Sequence, residues 1–198
     1  MRGVSAQSLD AVLSRAGSAV EGVPDPKSIA HELFATVAAI DSSNQLVRAL
    51  TDFGRDGDFK ASVVNSLFAD KVAPETLAVL DEAARKRWSE QNHLLQAIEL
   101  AGVYTLLQLA EREGAFDTVE SELFQFARMV EDTPELSEAF DATRDRTDQR
   151  VALVTSLLEG KAHPVTVLIA EQAVRFDTMI KVPSRLDPSL IHISEPTR

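Results

Sequence analysis

Residues 94–110 read LLQAIELAGVYTLLQLA. Written on a helical wheel, Leu95, Ile98, Leu106 and Ala110 fall on one side, while Ala97, Leu100, Ala101 and Leu107 fall elsewhere. A helix without a clear polar face is buried by neighbours on several sides. Gln96, Glu99 and Gln108 interrupt the stretch, and a bilayer span needs about 20 clean apolar residues. This is therefore the central helix of a soluble bundle, with no direct membrane insertion expected. Within it, Leu107→Asp is expected to abolish folding or binding. Glu99→Gln is expected to matter far less, with Glu99 at a solvated edge.

The flanks of this helix are copies of each other. His31–Lys86 aligns with Ser121–Phe176 at a constant offset of 90, with no gap and 14 identities in 56 positions. Glu32, Leu33 and Phe34 match Glu122, Leu123 and Phe124, and Leu67 matches Leu157. Lys71, Pro74 and Thr76 match Lys161, Pro164 and Thr166. Short solenoid repeats run to roughly 20–50 residues, so this longer period points to duplication of a whole helical subdomain. Phe34 and Phe124 are expected to be buried in equivalent positions, as are Leu67 and Leu157.

Local signals divide each copy into helices. Leu9, Val12, Leu13 and Ala16 mark a helix over 8–19. Asp25 caps the next, with Pro26 first in it. Brief helices follow at 43–50 and 59–69, and Pro74 opens another that ends in the basic cluster Arg85-Lys86-Arg87, anchored by Trp88. Gly114 stops the central helix, and Asp117 with Glu120 forms a capping-box-like start. Pro134–Phe140, a helix capped by Thr147 and ended by Gly160, and Pro164–Phe176 complete the second copy. No convincing strand precedes Ile180. The fold class is all-α, two tandem helical bundles around a long central helix. The expected domains are 1–88, 89–177 and a tail over 178–198.

Of 198 residues none is cysteine, which excludes disulfides, thiolate metal sites and cysteine nucleophiles. The N-terminus lacks the apolar run of a signal peptide. The net charge of -11 argues against nucleic acid as a main partner. It is uneven: residues 1–88 hold 10 basic and 12 acidic side chains, residues 89–178 hold 7 and 17. The second copy presents either a solvated acidic surface or a face that steers a basic partner. His31, His93, His163 and His192 form no metal motif and read as exposed or capping residues, and neither a phosphate-binding GxxxxGK[ST] loop nor GxSxG is present. No catalytic residue, cofactor or metal is expected. The corner Lys161–Thr166 reads as a turn between two helices, with proline at a helix start.

The pieces LLQLAEREGAFDTVESELFQFARMVEDTPELSEAF and VALVTSLLEGKAHPVTVLIAEQAV resemble the delta subunit of the bacterial F-type ATP synthase, a relative of the mitochondrial oligomycin-sensitivity-conferring protein. The resemblance covers about residues 90–177, the family's N-terminal helical domain. Residues 1–88, with LVRALTD and ARKRWS, resemble the extra N-terminal region of longer delta subunits, a divergent copy of the same domain. Gly102 and Val103 stand where many members carry Tyr-Ala, and the family's C-terminal α/β domain is missing. The segment from Ser189 to Arg198 resembles translated adapter sequence, so the chain is expected to be a truncated delta subunit with a loosely placed tail.

The resemblance implies a non-catalytic stator subunit, peripheral on the cytoplasmic face of the cell membrane. It links the catalytic head to the peripheral stalk for ATP synthesis driven by proton transport. An N-terminal helix of the alpha subunit would lie in a groove between the first and fifth helices of the domain, here Ile98–Ala110 and Pro164–Phe176. The implied anchors are Val103, Leu106, Leu107, Val167, Leu168 and Ala170, with bundle core as the competing role. Contact with the stalk b subunit would be lost with the missing domain. The alternative function is a free-standing helical adaptor outside the synthase.

Overall fold

The computed structural model describes residues 1, 3–142 and 146–175, and every regular element among them is an α-helix. In chain order these are α1 (Val4–Val20), α2 (Lys27–Asp41), α3 (Asn44–Thr51), α4 (Gly57–Phe68), α5 (Pro74–Arg85), α6 (Gln91–Arg112), α7 (Phe116–Asp132), α8 (Pro134–Ala142), α9 (Thr147–Leu158) and α10 (Pro164–Arg175). Shifted by 90, α4 and α5 coincide with α9 and α10 residue for residue. The bounds of α2 and α3 agree with those of α7 and α8 to within a residue. Helix α1 corresponds to residues 94–110, inside α6. The duplicated all-α architecture around a long central helix is thus as expected. Phe176 and the tail over 178–198 lie outside the described residues. By compactness the chain divides within α6, between Gln108 and Leu109.

In the first unit, short polar side chains accept at the starts of α2, α3 and α4. Ser43 Oγ accepts from Leu46 N at 3.3 Å and Asp56 Oδ1 accepts from Phe59 N at 2.7 Å, satisfying donors that a helix start leaves over. Asp25 Oδ1 accepts from Lys27 N at 3.1 Å, with Pro26 one position before α2 rather than first within it. Helix α5 packs against α1, α4 and α2. Val12, Ile29, Leu33, Val37, Ile40, Leu80, Ala97 and Ile98 are among the core residues. Helix α1 begins at Val4, ahead of the expected Ser8, because buried Ser5 anchors its first turn. Ser5 Oγ accepts from Ser89 N at 2.8 Å and lies 2.9 Å from His93 Nδ1. Trp88 is fully buried and donates from Nε1 to the Ala83 carbonyl at 2.9 Å, the anchoring role its sequence context indicated.

In the second unit, Gly114 stops α6 as the sequence indicated, and it does so with positive φ (67°). Gly114 N donates to Glu111 O at 3.0 Å and Ala115 N to Ala110 O at 2.8 Å, the paired bonds of a Schellman stop. The expected Asp117–Glu120 capping box does not form. Helix α7 starts at Phe116 after Ala115, with no side-chain cap, which places Asp117 inside the first turn. Thr147 is likewise the first residue of α9, after an uncapping Arg146. Helix α10 packs against α9 and α7.

Three burial expectations are corrected. Phe34 is only half-buried and Phe124 is 54% exposed. Leu67 is 38% exposed and Leu157 half-buried. In each case the adjacent residue, about 100° round the helix, points inward: Leu33, Leu123, Phe68 and Leu158 are buried. Glu99 is not at a solvated edge but 6% exposed, on a stretch of α6 where residues 97–99, 101, 102 and 104–107 are all buried.

Gly102 has a packing reason. A Cβ placed there would lie 2.9 and 3.0 Å from Cδ1 and Cζ of Phe34, and nearer still to Cε1. The ring of α2 therefore rests on α6 where the latter has no side chain. Gly102→Ala should destabilise the protein, since overpacking of about 1–3 kcal/mol exceeds the helix-propensity gain of about 1 kcal/mol. In a Phe34→Ala background the same change should become stabilising. Urea unfolding of the four proteins checks this reversal of sign.

Lys60 is 3% exposed and its Nζ donates to the Lys86 carbonyl, at the end of α5, at 2.8 Å. Burial, then the neighbouring Arg87 charge, lowers its pKa from the ordinary 10.5, with Asp52 opposing. The unfolded chain then binds more protons between the folded value and 10.5, so stability rises with pH across that window. Below the folded value the cost of the buried charge is fully present. Relative to Lys60→Met, the wild type should gain stability as pH rises from neutral toward 10.5, measured by urea unfolding across that range.

Candidate partner-binding surface

The start of α10 is held from a distance. Pro164 is its first residue, leaving His163 as the N-cap. The backbone N of His163 donates to Glu122 Oε2 of α7 at 2.8 Å, and Thr166 Oγ1 donates to the same oxygen at 2.5 Å. A carboxylate here satisfies a leftover backbone donor and meets the positive end of the helix dipole. His163 Nδ1 accepts from Val165 N at 3.3 Å, the capping use its sequence position suggested, and its Nε2 faces Glu113 Oε2 at 3.5 Å.

The first unit repeats this arrangement. Ala73 N donates to Glu32 Oε2 of α2 at 2.9 Å, and Thr76 Oγ1 to the same atom at 2.5 Å. Sequence reasoning did not identify the clamp, because donor and acceptor stand 41 and 44 positions apart. The available signal was the shared identity of Glu32 with Glu122, Pro74 with Pro164 and Thr76 with Thr166.

The six candidate anchors divide by burial. Leu106, Leu107 and Ala170 are buried core residues, whereas Val103, Val167 and Leu168 are half-buried. On α6, in the first unit, half-buried Gln96, Leu100 and Val103 follow one another at helical spacing and form a partly accessible stripe. Leu100, absent from the sequence-based set, belongs to it. On α10, in the second unit, Val167 and Leu168 stand beside Glu171, whose Oε1 accepts from Thr155 Oγ1 of α9 at 2.6 Å. The residues these two surfaces leave half-buried, Leu100, Val103, Val167 and Leu168, are apolar. Among the described residues there is no cluster of three or more His, Asp or Glu side chains able to hold a metal. No helix among them is long and apolar enough to cross a membrane.

Glu122→Ala should cost about 2 kcal/mol, the range for a hydrogen-bonded charge whose buried partner is left unsatisfied. Thr166→Val should add little in that background, because both partners are then gone. The matching pair Glu32→Ala and Thr76→Val should behave alike. Unchanged urea midpoints in both glutamate variants would show that the clamp is dispensable.

Comparison with known proteins agrees with this architecture. The family model described as ATP synthase delta (OSCP) subunit matches residues 103–177. ATP synthase subunit delta of Acidothermus cellulolyticus is 36% identical over 179 residues, spanning 88% of this chain and 65% of that protein. The Thermobifida fusca subunit is 36% identical, spanning 88% and 64%. That of Beutenbergia cavernae is 35% identical over 196 residues, spanning 98% and 71%. The chain thus covers a little under two thirds of the first two relatives and slightly more of the third. With that extent of similarity, and with the family's helical domain present, the chain belongs to the ATP synthase delta (OSCP) subunit family.

Proposed function

We propose that the chain acts as a non-catalytic stator subunit of the proton-translocating F-type ATP synthase. In this reading it sits peripherally at the cytoplasmic face of the cell membrane and ties the catalytic head to the peripheral stalk. The N-terminal helix of an alpha subunit docks along the accessible apolar residues of α6 and α10: Val103, Val167 and Leu168. Leu106 and Leu107 on α6 and Ala170 on α10 are buried and serve the packing of their own helices. Contact with the stalk b subunit belongs to the part of the family's length outside this chain. Residues 1–88 form the divergent copy of the domain and 89–177 the family domain proper.

The observation carrying this reading is family membership combined with the half-buried apolar residues on α6 and α10. Such residues suit helix-in-groove recognition, in which apolar anchors recur at helical spacing. A restraint against rotation requires rigid packing rather than a reactive group.

The test is titration of the chain with a peptide of the alpha N-terminus. Val103→Asp and Leu168→Asp should each weaken binding about tenfold or more, as desolvated anchors do, while circular dichroism stays unchanged. Failure of the folded wild type to bind either the peptide or the assembled head would favour the free-standing adaptor.

A further inference from the structure

Phe34 and Phe124 occupy the same place in the two copies, yet only one ring is seated. Phe34 rests on α6 at Gly102, where no side chain intervenes. Phe124 is 54% exposed, with the Arg128 guanidinium 5.5 Å above its ring. A single exposed apolar residue ordinarily needs no explanation. Here the repeat supplies one: the first copy shows what this position does when occupied, which is to receive a helix at a glycine.

The surroundings of Phe124 define the occupant. Asp117, Glu120 and Glu131 share its face of α7 at spacings of seven, four and seven residues. Their counterparts in the first copy are Lys27, Ala30 and Asp41, so this face carries three acidic residues in the second copy against one acidic and one basic in the first. It favours a basic partner. A second copy of this chain does not suit. Its α1 carries Val12 where α6 has Gly102, and Val12 is fully buried in its own core. Its Gly102 is already covered by Phe34.

We infer that the Phe124 face of α7 is a second docking surface, separate from the α6 and α10 anchors, for a basic amphipathic helix of another protein. That helix carries a glycine where the ring lands and lysine or arginine on either side of it. The inference does not depend on the alpha-subunit reading, since it rests on a different helix and on the internal repeat.

The probe is a synthetic amphipathic peptide with glycine at the centre of its apolar face and lysines at flanking helical positions. It is titrated into the whole chain, with backbone amide NMR shifts and fluorescence anisotropy as readouts. Shifts should concentrate on α7, and Phe124→Ala should weaken binding about tenfold, as for an interface hot spot. Phe124→Tyr should restore binding, and replacing the peptide glycine by leucine should abolish it. Because Phe124 is exposed, circular dichroism should show the alanine variant folded. Shifts confined to α6 and α10 would overturn the inference, as would binding indifferent to Phe124 and to the peptide glycine. So would self-association of the chain that Phe124→Ala removes.

Discussion

A carboxylate that reaches across to the start of another helix is the constraint on which each bundle rests. Glu122 accepts from the backbone of His163 and from Thr166, and Glu32 accepts in the same way from Ala73 and Thr76. Each helix held in this way begins with proline at its first position, so its direction is set from the first turn. Proline fixes the backbone angle, the threonine hydroxyl and the N-cap amide present donors, and the glutamate ties both to α2 or α7. This determines where α5 and α10 lie, and with them Val79, Leu80 and Ala83 in one core and Ile169, Ala170 and Ala173 in the other. A helix start that lost this partner would leave a buried hydroxyl unsatisfied, since Thr76 and Thr166 have no exposed surface.

Around this shared frame the copies have diverged in chemistry while keeping backbone positions. Asn65 Nδ2 donates to Asp81 Oδ1 at 3.0 Å between α4 and α5, and Thr155 Oγ1 donates to Glu171 Oε1 at 2.6 Å between α9 and α10. The residue numbers differ by 90 at both ends, so one inter-helix bond has been kept with both partners replaced. Elsewhere the exchange is not conservative. Asp56 caps α4, but its counterpart Arg146 leaves α9 without a side-chain cap. Arg85 pairs with Asp81 and Asp58, which hold its guanidinium more firmly protonated still. These exposed pairs contribute little to stability, and the bundle depends instead on its apolar layers and helix-start clamps.

Membership of the delta (OSCP) family accords with this economy of chemistry. Apolar layers, helix-start clamps and a Schellman stop hold the helices within each unit.

The sequence by itself determined the helices, their order, the duplication and the family. Proline, glycine and cap residues act within a few positions, and a gap-free repeat is visible without knowing any contact. It also placed Gly114, Trp88 and the Lys161–Thr166 corner correctly, because each acts on its own turn. Tertiary structure alone decided which flank of a helix faces inward. Leu33 and Phe34 are adjacent, apolar and both repeated, yet only Leu33 is fully buried, since burial depends on the neighbour's position and not on the residue's character. The same holds for Glu99, which is 6% exposed, and for Gly102, whose missing side chain makes sense only once the Phe34 ring is seen against it. The glutamate clamps belong to this second group too. A bond spanning 41 residues joins groups that chain-local rules never compare, and only folding brings them within 3 Å.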